Sequence, residues 1–363
     1  MARIVTFGEI MGRLAPPTAR RFRQALPGTL EMSFAGAEAN VAVSICCLGG
    51  EATFVTALPG HAVADACVAT LRGLGVDTRY VLRTEQGRLG LYYVETGANQ
   101  RPGTVIYDRA GAAVAETSSH EYNLAGALEG ADWFHVTGIT PALSRVAADA
   151  TLDAVRQARQ LGVRVSCDLN FRKKLWRWDA SIAPRDLAGA TMRRILPLVD
   201  MVIGNEEDAA DVLSIEASET DVDAGRLAID RYPDVARRIV SEFPNLARVA
   251  ITLRESISAS HNNWGAMLYE SATDTPHFAP LREGGYRPYE IRNIVDRVGG
   301  GDAFAAGLLF ALTTPELNDS PRAISFAVAA SCLAHSVPGH FNYSSRQEVE
   351  ALMKGSGAGR VIR

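Results

Sequence analysis

Short apolar runs alternate with helical stretches along most of this chain, and that rhythm constrains the fold more than any other feature. Ile4 to Phe7 is a brief apolar run ending at Gly8, the pattern of a buried strand. Ala37 to Leu48 suits a helix closed by Gly49-Gly50, Thr53 to Leu58 a strand, and Ala62 to Leu74 a second helix. The alternation returns at Trp133–Thr137, Ala147–Leu161 and Val163–Leu169. It continues through Met201–Ile203, Val249–Leu253 and helices near 302–313 and 320–336. Strands that alternate with helices predict a mainly parallel sheet covered on both faces. At 363 residues the chain has room for one large α/β domain or two ordinary ones.

Two regions break the rhythm. Arg13 to Phe34 carries Pro16-Pro17 and Pro27-Gly28 before a strand-like Leu30 to Phe34. Leu89–Glu95 and Thr104–Arg109 read as two strands joined by the loop Gly97–Gly103, with no helix following. One face of such a hairpin needs a cover. A small β lid over one end of the main sheet, closing on a substrate or pairing with a second subunit, meets that need. An edge extension without function meets the pattern equally well.

Composition narrows the class. A net charge of -4 gives no reason to expect nucleic acid or an anionic membrane as partner. The five cysteines show no C-x-x-C spacing and include the adjacent Cys46 and Cys47 in an apolar helical stretch, which fits buried thiols in a reducing, cytoplasmic setting. The first residues read as a strand rather than a signal-peptide core, and the longest apolar runs, such as Ala303–Leu312, are too short to span a bilayer.

The chemistry concentrates in Asp296-Arg297-Val298-Gly299-Gly300-Gly301-Asp302, where a strand end runs into three glycines and an acid opens a helix. Glycines leave backbone amides bare, and a helix start aims unpaired N–H groups at whatever lies in front, so the run suits an anion such as a phosphate. An acid there would repel a resting phosphate. It makes sense as the base for a hydroxyl that attacks one. Read alone, Asp302 is equally compatible with an ordinary first-turn acid. Only three residues are lysines, Lys173, Lys174 and Lys354, and none follows a glycine, so no P-loop is present. Gly8 to Gly12 lacks the Rossmann spacing. A nucleotide would therefore depend on backbone amides and arginines.

Two further segments could bind a ligand. Phe34 to Ala42 places Glu38 and Asn40 at the start of a helix after small residues, where a polyol could meet amides and the Asn40 side chain; a plain helix start fits as well. Asp168-Leu169-Asn170-Phe171-Arg172 follows a strand, the place where α/β proteins put ligands, and Arg172 could pair with a carboxylate or phosphate. In so arginine-rich a chain, an exposed loop arginine is the plain alternative.

Taken together these segments resemble the ribokinase-like (PfkB) carbohydrate kinase family. Asp296 to Gly307 matches its D-x-x-G-A-G-D-x-F-x-A-G signature with Gly300 in place of the usual alanine, and the likeness runs from Ile4 to about Tyr343. Within the family, the 2-dehydro-3-deoxygluconate kinase branch is most similar. Phe7-Gly8-Glu9-Ile10-Met11, Gly36 to Val43, Tyr107-Asp108-Arg109, Gly138 to Ser144 and Asp168 to Arg172 carry that likeness.

The resemblance implies a three-layer α/β/α kinase domain over residues 1–363, with lid strands from about 13–34 and 89–109 inserted in it. It implies Asp302 as catalytic base and the Gly299, Gly300 and Gly301 amides as the anion hole. Gly36, Ala37, Asn40, Tyr92, Tyr107, Arg109, Arg172 and His340 would face the sugar. Asn170, Arg172, Asn205, Thr252, Gly299 and Gly301 would face ATP, and Asp208 would hold Mg²⁺ through water. K⁺ is a further candidate ion, and a homodimer or larger homo-oligomer through the lid is expected.

The implied reaction is phosphorylation of the 6-hydroxyl of 2-dehydro-3-deoxy-D-gluconate. A kinase for ribose, fructose or the galactonate epimer, or a non-catalytic sugar-binding regulator, are the alternatives. Three departures stand out. Asp208 closes Asn205-Glu206-Glu207-Asp208 where the family carries N-x-x-E; Ser256 to Asn263 reads as an insertion after a strand lacking its usual glycine; and His340 stands where an acid is usual.

Overall fold

The apolar runs pair side by side, as strands hydrophobic on both faces must. In the computed structural model, which describes residues 2–205, 207–216, 229–282 and 285–355, they form one long sheet. Its order is Thr275–Ala279, His261–Glu270, Arg248–Ser258, Met201–Gly204, Arg164–Asp168, Trp133–Thr137, Arg3–Phe7, Glu51–Pro59 and Val81–Thr84. From Arg248–Ser258 to Val81–Thr84 every neighbouring pair is parallel.

Successive side chains leave the sheet on opposite faces. Ile4 and Trp133 join a core with the helices Ala37–Cys47, Gly300–Thr313 and Ser320–Ala334. Val5 and Phe134 join another with Arg145–Gln160, Pro184–Ile195 and Tyr232–Glu242. The result is the expected α/β/α sandwich. Among the described residues no helix is long and apolar enough to cross a membrane.

The sheet ends differently from the uniform parallel pattern. Arg248–Ser258 turns back into His261–Glu270 as an antiparallel hairpin. The Ser256–Asn263 run, read from the sequence as an insertion, is the tip of that hairpin. Tyr289–Arg292 pairs with its second strand and carries the chain toward Asp296.

A second sheet has the order Glu31–Ala35, Met11–Ala15, Leu91–Glu95 and Thr104–Asp108. Its first strand begins at Met11, two residues earlier than the expected start near Arg13. Met11, Ala35, Tyr92 and Val94 pack on its inner face with Val105 and Tyr107 beside them. On the outer face the cross-strand neighbours Met32, Leu14, Tyr93 and Ile106 form an apolar row, with Met32 and Ile106 about half exposed.

Candidate active site

Two helix starts converge at one end of the sheet. Gly300–Thr313 is buried along most of its length, so the sequence before it is held against the sheet. Gly299 caps it at φ +90°, and a side chain there would lie 2.6 Å from the His340 carbonyl oxygen, so glycine is required twice over. A methyl group on Gly300 would fall 2.8 Å from His335 Cε1, while Gly301 faces open space.

Facing this start is the helix Ala37–Cys47, capped by Gly36, whose missing side chain leaves room for the Glu9 carbonyl. Asn40 joins the two. Its Nδ2 donates to Asp302 Oδ2 at 2.6 Å, and its Oδ1 accepts from the Gly36 amide at 3.3 Å. Both helices turn their positive ends toward the space between them, a setting for an anion. Burial raises the Asp302 carboxyl to about 6, with the Asn40 hydrogen bond and the Arg172 charge pulling the other way. That is a proton acceptor poised near neutral pH.

Glu38, noted in the sequence beside Asn40, points away into the fold. Thr137 and Thr140 hydroxyls donate to it at 2.7 and 2.9 Å, and burial pushes it up to about 7. Gly8 lies against its carboxylate, where any side chain would overlap it. Glu38 therefore fastens the helix start to the Trp133–Thr137 strand.

At the cavity the lid meets the body through polar contacts. Tyr92 Oη and His340 Nε2 are 2.8 Å apart with their rings edge to face. Burial, and then the Arg13 charge, hold the His340 imidazole down to about 3, so it is neutral. Arg13 donates to Asp296 at 2.5 Å in a buried ion pair. Asp296 also accepts the Val298 and Gly339 amides at 3.1 and 3.3 Å. Arg109 lies beside the Tyr107 ring and is paired with buried Glu9, so its charge reaches the cavity already partnered.

On the other side, the Asn170 amide donates to Asp168 at 3.1 Å. The Arg172 guanidinium donates to the Phe171 carbonyl and has no carboxylate in contact among the described residues. Its charge acts instead across the cavity on Asp168, Asp208 and Asp302. Asp208 accepts the Phe171 and Asn205 amides at 3.0 and 2.9 Å; Glu206 lies outside the described residues. Thr252 Oγ1 reaches the Gly204 carbonyl at 3.4 Å.

Among the described residues no three acids, histidines or cysteines stand close enough to cage a metal. Asp168 and Asp208, buried at the cavity wall, instead fit an ion held through water and substrate phosphates, the habit of Mg²⁺.

Gly36, Ala37, Asn40, Tyr92, Tyr107, Arg109, Asn170, Arg172, Asn205, Asp208, Thr252, Gly299, Gly300, Gly301, Asp302 and His340 all line a single cavity of about 390 Å³. Sequence reasoning missed other members of its wall: Glu9, Arg254, Asn262, Trp264, Arg297 and His335. Arg297 had a signal, since it stands two residues before the glycine run, and Glu9 sits in the Phe7–Met11 run; the others come from positions with no motif around them.

Residues 1–234 match the pfkB family carbohydrate kinases. The chain is 33% identical over 358 residues to the 2-dehydro-3-deoxygalactonokinase of Haloferax volcanii, covering 99% of this chain and 98% of that one. The crystal structure of 2-dehydro-3-deoxygluconokinase from Thermotoga maritima superposes with a TM-score of 0.87 at 40% identity, covering 98% of this chain and all of that one. A fructokinase from Xylella fastidiosa with bound ATP shares the fold at 22% identity, with a TM-score of 0.74 and 98% coverage of each chain. With the glycine loop, its acid and the two-sheet architecture in place, the chain belongs to the pfkB family of carbohydrate kinases.

Proposed function

We propose that this kinase transfers the γ-phosphoryl group of ATP to the 6-hydroxyl of 2-dehydro-3-deoxy-D-gluconate, acting as a single domain with an inserted lid. The observation that carries the reading is Asp302, a half-buried carboxylate held by Asn40 on the first turn of the glycine-capped helix. Asp302 takes the proton as the hydroxyl oxygen forms its bond to phosphorus and the bond to the departing ADP breaks. The amides at the Gly299–Gly301 turn receive the charge on the transferred group. Mg²⁺, when bound, neutralises phosphate charge; Asp168 and Asp208 would hold its waters.

Arg172 supports an acidic substrate, since among the described residues its guanidinium has no carboxylate partner while Arg109 is taken by Glu9. Arg172→Ala should raise KM for the sugar acid by about ten- to a hundredfold and leave turnover of neutral sugars much less affected. Equal loss on both would remove the carboxylate-receptor role.

The Haloferax volcanii relative favours a second reading, the galactonate epimer as substrate. Initial rates on the two epimers, with fructose and ribose as controls, decide between them. No phosphorylation of any of the four would overturn the proposal.

The apolar row on the outer lid face, with Met32 and Ile106 exposed, supports a homodimer formed through the lid. Sedimentation should give twice the chain mass, and a monomer at all concentrations would refute it.

A further inference from the structure

We propose that Arg297 is a receptor for the phosphate chain of the donor nucleotide, taking the part that a lysine plays in P-loop proteins. This rests on the kinase reading above. Arg297 lies two residues before Gly299 and lines the same cavity as the glycine turn, Arg254 and His335. Its Nη2 donates to Asn262 Oδ1 at 2.6 Å. Asn262 is buried on the antiparallel hairpin and neutral, so it aims the guanidinium without cancelling its charge.

The contrast with the other arginines is chemical. Arg13 is matched by Asp296 and Arg109 by Glu9. Arg297 has no ion-pair partner among the described residues, and the charged group acting on it is a second guanidinium, Arg254. Burial and that neighbour both oppose its protonation, the sign of a charge not yet balanced.

An anion is what balances it. The planar fork of a guanidinium matches two phosphate oxygens at once. Arg172 and Arg297 then divide the cavity. Arg172 acts on Asp168, Asp208 and Asp302, at the transfer point, while Arg297 sits beside Arg254 on the hairpin side.

The test is titration calorimetry of the full chain with ADP and with adenosine, for wild type, Arg297→Gln and Arg297→Lys, with thermal melts to check folding. ADP binding should weaken by about ten- to a hundredfold in Arg297→Gln, with adenosine binding unchanged. Arg297→Lys should recover part of the loss, because a point charge remains without the fork. Steady-state assays should show KM for ATP rising while KM for the sugar acid holds. If the glutamine variant fails to fold, Arg297→Met gives the same readout.

ADP binding within about twofold of wild type in Arg297→Gln would overturn this inference and leave the kinase reading standing. Wild-type protein that binds no ADP would remove both.

Discussion

Asp302→Asn leaves a folded, nucleotide-binding protein whose kcat has fallen by about 10²- to 10⁴-fold, the contribution of a positioned general base. Asparagine keeps the size of the side chain and can still meet Asn40, so the Gly300 helix start stays in place. Only the capacity to accept a proton is lost. The same group should shape the pH profile of the wild type. Burial raises the Asp302 carboxyl to about 6, and a base works only when deprotonated. Activity expressed as kcat/KM should therefore fall below about pH 6 and level off above it. A stopped assay from pH 4.5 to 8 with ADP binding measured in parallel checks both points. Near-wild-type kcat in the asparagine variant would sink the assignment.

Asp296→Ala should cost about 3–5 kcal/mol of stability, because it strands the Arg13 charge in a buried place. Both side chains are buried, and Asp296 also holds the Val298 and Gly339 amides. Urea denaturation of Asp296→Ala, Arg13→Met and the double variant separates the terms. The double variant should be much more stable than the two single losses added together, since no unpaired charge remains. Simple additivity would show that the pair is solvated and carries little.

Much of this could be read from the chain because it is local. Apolar strand runs separated by helices specify a parallel sheet wherever the period is clear, and Gly299 to Asp302 is contiguous. The lid hairpin was legible for the same reason. The antiparallel edge was harder. The strand His261–Glu270 opens with His-Asn-Asn, which hides the apolar run Ala266-Met267-Leu268-Tyr269 that follows. Glu9 and Arg13 are single polar residues with no spacing to mark their partners. Each acquires its ion-pair partner, Arg109 and Asp296, only when distant segments meet, so tertiary structure alone reveals the pairs. Arg109 was expected to face the sugar, and it does line the cavity; that Glu9 would be its ion-pair partner was not visible in the sequence.

The absent methyl group at Gly300 has a consequence for how such a chain can change. His335 fills the space an alanine would need, with its ring also set 5.1 Å from Trp264. Restoring alanine at 300 alone crowds the imidazole, and shrinking His335 alone leaves a hollow beneath the turn. The two positions are thus epistatic: each substitution is harmful on the background of the other's present residue and tolerable only with it. The Gly300→Ala and His335→Ala variants should show a coupling in stability that the double variant reveals. Positions 300 and 335 should therefore be treated as one heritable unit in any attempt to graft the turn between relatives.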